Sequence, residues 1–212
     1  MKVCEIFTGI QGESSYAGIP CTFIRLSGCN LRCSYCDTKY SYEEGVEIRI
    51  GTIMKKVEDA GVNLVEITGG EPLLQQEEML DLTARLIDAG YDVLIETNGS
   101  VSIRPIDSRA VVIMDVKTPA SGMSGRNDFS NFDCVKQKDE IKFVLSDRND
   151  YVWSRSIVQG YGLAKRCTVL FSPAYGALLP RELAGWIVKD RLAVRLNLQL
   201  HKYIYGPEER MV

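Results

Sequence analysis

The 212-residue sequence has one histidine, no surplus of basic charge and no long apolar run. Each lack excludes something. No window approaches the ~18 apolar residues that a membrane-spanning helix needs. The opening stretch MKVCEIFTGIQGESS has no apolar core leading to a small-residue cleavage site, so no secretory leader is expected. A net charge of −3 gives no basic face for nucleic acid, although a local basic pocket stays open. Internal repeats and low-complexity segments are missing too. What remains is 45% hydrophobic and 25% charged residues, the make-up of an ordinary globular protein. The length suits one domain with a real core, over residues 1–212. We expect a cytosolic protein.

That compartment bears on the seven cysteines, Cys4, Cys21, Cys29, Cys33, Cys36, Cys134 and Cys167. Under reducing conditions clustered cysteines are more often metal ligands than disulfides. The four scattered ones read as buried small hydrophobes.

Strand-length apolar runs alternate with helix-period stretches. Strands are expected at 21–27, 64–68, 92–97, 111–116, 141–145, 167–171 and 192–200. Helices are expected at 52–61, with Thr52 as N-cap and Gly61 as stop, and at 76–90, with Gly90 at the C-cap. Two more fill 147–161 and 180–190. Strands rich in Val, Ile and Leu with little alternation suit a parallel sheet covered by helices. The chain is short for a full eight-unit barrel. The expected fold is α/β, a partial, open (β/α) barrel of about six or seven mostly parallel strands.

Most of these strands run straight into polar or glycine-rich residues: GCNLRC, GGEP, NGS, KTPASG, SDRND, SPAYG and HKY. In α/β sheets and barrels the ligand sits at the carboxyl ends of the strands, so these loops would meet at one mouth. Loops of this composition also occur with no ligand at all.

The first of them, CNLRCSYCDT, spaces its cysteines C-x3-C-x2-C. Structural zinc wants four closed ligands, usually as two pairs, and no second pair exists. Three thiolates can hold three corners of a cubane iron–sulfur cluster and leave the fourth iron open. A zinc site completed by Cys21 or His201, or cysteines that bind nothing, are the alternatives.

This spacing, Tyr35 before the last cysteine, and TGGEP (68–72) after a strand resemble the radical S-adenosylmethionine enzymes. Within them, EIFTGIQGESSYAGIPCTFIRLSGCNLRCSYCDT (5–38), MDVKTPASG (114–122) and LNLQLHKYIYG (197–206) resemble the 7-carboxy-7-deazaguanine synthase family over nearly the whole chain. That resemblance implies a carbon–nitrogen lyase. It would contract 6-carboxy-5,6,7,8-tetrahydropterin to 7-carboxy-7-deazaguanine with loss of ammonia, on the way to queuosine and other 7-deazapurines. The cofactor would chelate the open iron, yield an adenosyl radical and be regenerated.

The resemblance also implies roles. Cys29, Cys33 and Cys36 would hold the 4Fe–4S cluster and Thr38 a magnesium ion. Ile10, Gln11, Gly12, Arg25 and Thr68 would contact substrate, Arg25 through its planar fork on a carboxylate. Tyr35, Cys36, Asp37, Gly70, Asp115, Val116, Lys117, Ser172 and Pro173 would contact S-adenosylmethionine. Thr38 could instead be a helix or turn cap, Arg25 a core arginine and Asp115 a structural partner of Lys117. Glu96 and Asn98 are pocket residues without a role, and His201 and Lys202 match the tail motif. Implied partners are a flavodoxin-like or other electron donor and a second copy of the chain. Family members that end near this tail use a terminal proline carboxylate; here Pro207 is followed by EERMV, so that contact does not transfer. A glycyl-radical-enzyme activase or a non-catalytic metal-binding protein are the competing functions.

Overall fold

The computed structural model describes residues 1–206 and 209–211, so Pro207 lies outside the described residues. Among these, nine strands form one sheet. In chain order they are β1 Lys2–Ile10, β2 Pro20–Leu26, β3 Val46–Glu47, β4 Leu64–Gly69, β5 Asp92–Thr97, β6 Val111–Asp115, β7 Glu140–Leu145, β8 Thr168–Pro173 and β9 Arg195–Leu196. The sheet order is β3-β1-β2-β4-β5-β6-β7-β8-β9, not closed on itself. From β2 to β9 every pairing is parallel. The seven parallel strands are the open partial barrel expected. β1 was missed, and it pairs antiparallel with β2 through a hairpin.

The helices are α1 Ile50–Ala60, α2 Gln76–Asp88, α3 Arg148–Gly160, α4 Pro180–Asp190 and a short α5 Leu200–Ile204. α1 starts two residues before Thr52, after an extended Arg49, so Thr52 lies inside the helix and caps nothing. Gly61 ends it in the left-handed conformation, as expected. Ala89 is the C-cap of α2, and Gly90 follows one residue later with φ +94°. The run 192–200 is not one strand. After β9 the Asn197 backbone N–H donates to Phe171 O and its amide to Ser172 Oγ, and the chain then turns into α5.

Alternation along the parallel strands divides the sheet into two faces. One carries Ile24, Leu26, Val65, Ile67, Val93, Ile95, Val112, Ile141, Phe143 and Phe171. These pack under Ile53 and Val57 of α1, Leu82 and Leu86 of α2, Tyr151 of α3 and Leu183 of α4. The other face is apolar only in a small cluster, Cys21, Phe23, Leu64, Leu94, Val111 and Ile113, with Phe7 stacked on Phe23. Further along the strands this second face turns polar. Arg25, Glu66, Thr68, Glu96, Asp115 and Lys142 all lie there and line one cavity. Of the scattered cysteines, Cys21 and Cys167 are buried as expected, whereas Cys4 and Cys134 are half-buried.

Candidate active site

The cavity measures about 450 Å³ and opens at the carboxyl ends of the strands. One wall is the cysteine loop after β2. Gly28 N donates to Ser41 O at 2.8 Å and Ser34 N to Ser121 O at 3.0 Å, which fixes the loop at two points. The GGEP turn after β4 lies directly against it. Gly70 N donates to Leu26 O and Glu71 N to Gly28 O. A Cβ on Gly70 would stand 2.0 Å from Gly28 O, so only glycine fits this approach. The Glu71 side chain turns away from the cavity. It is fully buried and accepts from Leu73 N at 3.0 Å, Thr97 Oγ1 at 2.8 Å and Asn98 N at 2.7 Å. It is a backbone clamp between the two loops.

Cys29, Cys33 and Cys36 all line the cavity. Burial raises the thiols of Cys29 and Cys33. Cys29 Sγ accepts from Leu31 N at 3.4 Å and from the Asn98 amide at 3.8 Å. Among the described residues no three His, Cys, Asp or Glu side chains gather closely enough to hold a single metal ion. Tetrahedral zinc with ~2.3 Å bonds would draw its sulfurs to within about 4 Å of one another. Cubane ligands each take a different iron and stand further apart. Cys21 lies at the opposite end of β2 from the loop and is fully buried, so it does not complete a zinc site there. The donor set fits a three-cysteine cluster.

The floor is charged. Lys142 Nζ donates to Glu13 Oε2 at 2.8 Å and to Glu96, and stands 4.0 Å from Asp115 Oδ2. Lys117 Nζ donates to Asp115 Oδ2 at 2.8 Å, while Asp115 Oδ1 is buried with no hydrogen-bond partner among the described residues. Burial alone would lower both lysines, but the surrounding carboxylates hold them well above their ordinary values. Glu66 behaves oppositely. Burial, then the neighbouring Glu96, pushes its carboxyl well above the usual range, so it holds its proton to higher pH than a free carboxyl. Glu66 accepts from the Gln11 amide, and Gln11 Oε1 accepts from Glu13 N at 2.6 Å. Thr68 Oγ1 donates to Glu96 Oε2 at 3.2 Å.

Arg25 donates through Nε to Glu5 Oε1 at 2.6 Å, and Tyr40 OH donates to the same oxygen at 3.0 Å. Neither terminal nitrogen of the guanidinium makes a hydrogen bond among the described residues, and the side chain lines the cavity. The rim comes from both ends of the chain. Leu200 N donates to Gly12 O at 2.7 Å, and a Cβ on Gly12 would stand 2.1 Å from His201 Nδ1. Lys202 Nζ pairs with Asp37 Oδ2 at 2.7 Å. Burial pushes the Asp37 carboxyl up, but Lys202, with Arg25 and His201, outweighs it and holds the group below its ordinary value. Burial also pulls the His201 imidazole below its ordinary value. Arg210 lies over the Tyr40 ring, 3.4 Å from its centroid.

With this site in view, comparison with known proteins is decisive. Residues 23–109 match the Radical SAM superfamily. The whole chain aligns at 44% identity with all of a 7-carboxy-7-deazaguanine synthase from Koribacter versatilis. It aligns at 43% identity with 97% of another from Chlorobaculum tepidum. The chain belongs to the 7-carboxy-7-deazaguanine synthase family. It is therefore a radical S-adenosylmethionine enzyme that uses an iron–sulfur cluster. In fold it is similar to the crystal structure of QueE from Escherichia coli, with a TM-score of 0.78 over 94% of each chain at 23% identity.

Of the residues the family resemblance singled out, Ile10, Gln11, Gly12, Arg25, Tyr35, Asp37, Thr38, Thr68, Gly70, Asp115 and Lys117 line the same cavity as the three cysteines. Val116, Ser172 and Pro173 do not. Val116 packs into the helix-side core, and Ser172 is buried beneath Asn197. Thr38 stands at the N-cap of a 3₁₀ turn, Lys39–Tyr42, but its side chain makes no capping bond; Oγ1 lies 3.8 Å from Cys36 Sγ. Sequence reasoning passed over Glu13, Glu66 and Lys142, three of the groups that make the floor. For Glu66 and Lys142 the signal was present, a single charged residue inside an otherwise apolar strand, as in LVEIT and IKFVL; Glu13 lies in the loop after β1.

Proposed function

We propose that the chain contracts the ring of 6-carboxy-5,6,7,8-tetrahydropterin to 7-carboxy-7-deazaguanine with release of ammonia. The observation that supports this most directly is one cavity shared by the three cysteines, an arginine with unused terminal nitrogens and an acidic floor. Cys29, Cys33 and Cys36 would hold the cluster, and Gly70 would leave room for the cofactor's amino group. Bound there, cluster and cofactor would supply the radical chemistry at C6 of the substrate. The atoms balance with ammonia as the only by-product, so the cofactor is regenerated.

The chain's own residues bind and orient the pterin. The terminal nitrogens of Arg25 match a carboxylate fork. Glu5 and Tyr40 hold that fork in place. Glu13 and Glu96, both bound to Lys142, can accept the N–H groups of the aminopyrimidinone edge. Glu66 fixes the Gln11 amide. A magnesium ion beside the substrate carboxylate would use Thr38 Oγ1. It would keep waters and substrate oxygens as its other ligands, as magnesium commonly does. We further infer a single domain, a cytosolic setting, a second copy of the chain as partner, and a flavodoxin-like or other reductant.

The test is anaerobic reconstitution, reduction, and addition of cofactor and carboxytetrahydropterin. Formation of the deazapurine and ammonia is expected. Cofactor cleavage with no deazapurine would point to another radical reaction such as enzyme activation. No cofactor cleavage would point to a binding protein.

A further inference from the structure

Asn98 follows β5, and nothing so far gives it a role. It is buried at 6% exposure and lines the cavity. Four contacts fix its position and its polarity. Its backbone N–H donates to Glu71 Oε2 at 2.7 Å. Its side-chain oxygen accepts from Ser100 N at 3.0 Å. A backbone N–H can only donate, so the side-chain oxygen must face Ser100 and the amide nitrogen must face the other way. That nitrogen lies 3.1 Å from Asn30 Oδ1 and 3.8 Å from Cys29 Sγ. Asn30 in turn donates to Ser100 Oγ at 2.8 Å, closing the ring of contacts between the two loops.

Cys29 therefore receives two N–H···S bonds, from Leu31 and Asn98, and only the second comes from a side chain. Cys36 meets a hydroxyl, Thr38 Oγ1, and no side-chain N–H is directed at Cys33 among the described residues. Donors to ligating sulfur stabilise the more negative, reduced state and raise a cluster's reduction potential. We propose that Asn98 is a positioning residue for the cluster ligand, with its amide N–H aimed at Cys29 Sγ so that the bound cluster is easier to reduce. Glu71 of the GGEP turn serves it as anchor: the clamp that joins the turn to the end of β5 also sets the height of this donor. The inference rests on the reading of the cysteine loop as a cluster site.

The experiment is a redox titration of the reconstituted cluster, followed by the spin signal of its reduced form. Asn98→Ala should assemble the cluster and show a lower midpoint potential than the parent chain. Asn98→Asp keeps the shape and the acceptor for Ser100 but turns a carboxylate oxygen on the sulfur, so its midpoint should fall further. Asn30→Ala removes the amide's other partner and no donor to sulfur, and should leave the midpoint in place. An unchanged midpoint in both Asn98 variants overturns the inference and spares the cluster reading. So does an equal shift in Asn30→Ala, which would trace the effect to loop order. If the parent chain takes up no cluster, both readings fall together.

Discussion

Arg25 has one nitrogen committed to Glu5 and the rest of its fork open to the cavity. Arg25→Ala should abolish turnover while iron content stays at the level of the parent; unchanged turnover would remove Arg25 from the site. Glu5→Ala is the finer test. It leaves the guanidinium present but unaimed. A hydrogen bond to a charged group contributes about 1.5–3 kcal/mol, so KM for the pterin should rise roughly ten- to a hundredfold, with kcat less affected. Glu66 predicts a pH effect. Unfolded, it ionises near ~4.3; folded, burial and Glu96 keep it protonated well above that. The unfolded state then binds fewer protons, so this group's contribution to stability falls as pH rises past its unfolded value. Glu66→Gln copies the protonated form. Its melting temperature should match the parent near pH 4 and exceed it at pH 8, because each unit of upward shift that lies below pH 8 costs the parent ~1.4 kcal/mol of stability that the amide keeps. Equal melting at both values would show that Glu66 ionises freely.

At the scale of elements, the parallel strands β2 and β4 to β8 were legible because they are largely buried on both faces and their apolar runs end abruptly at loops. β1 was not. Its burial is only partial, and its residues CEIFTGI mix types as an edge-side antiparallel strand does. The run 192–200 misled in the other direction, since alternating leucines read as a strand while Asn197 draws the chain out of the sheet. The cysteine loop and GGEP were readable from spacing. Glu66 and Lys142 stood out as single charges in apolar strands, but a charged residue in a strand gives no sign of which face it occupies until register is known. Glu71 shows the limit of motif reading. It belongs to the glycine-rich motif by sequence, yet it clamps backbone and faces no ligand. Glu71→Gln exchanges an acceptor oxygen for an N–H facing buried donors, a loss of about 1–3 kcal/mol. It should lower the melting temperature by roughly 2–4 °C per kcal/mol for a chain of this size. Gly70→Ala should do worse and cost cluster loading as well, because its Cβ meets the Gly28 carbonyl behind Cys29. Full iron content in Gly70→Ala would mean that the two loops can separate.

For the molecule as a whole, an open barrel leaves a gap between its last strand and its first hairpin, and α5 bridges part of it. Its contacts reach far across the sequence: Leu200 to Gly12, His201 against Gly12, and Lys202 to Asp37 in the cysteine loop. Gln199, just before α5, adds an amide bond to Glu13 Oε1 at 3.0 Å. Yet α5 has no buried residue, so it contributes little to the core. α5 thus lines the rim of the cavity while adding little to the core. Ending the chain at Gln199 should therefore lower the melting temperature by only a few degrees, the equivalent of about 1 kcal/mol. The cluster should still assemble, since its ligands and the GGEP turn are untouched. Substrate retention should suffer. KM for the pterin should rise at least about tenfold, a loss of roughly 1.4 kcal/mol, and cofactor cleavage should outrun deazapurine formation. Full coupling and an unchanged KM in the shortened chain would show that the rim formed by α5 takes no part in binding.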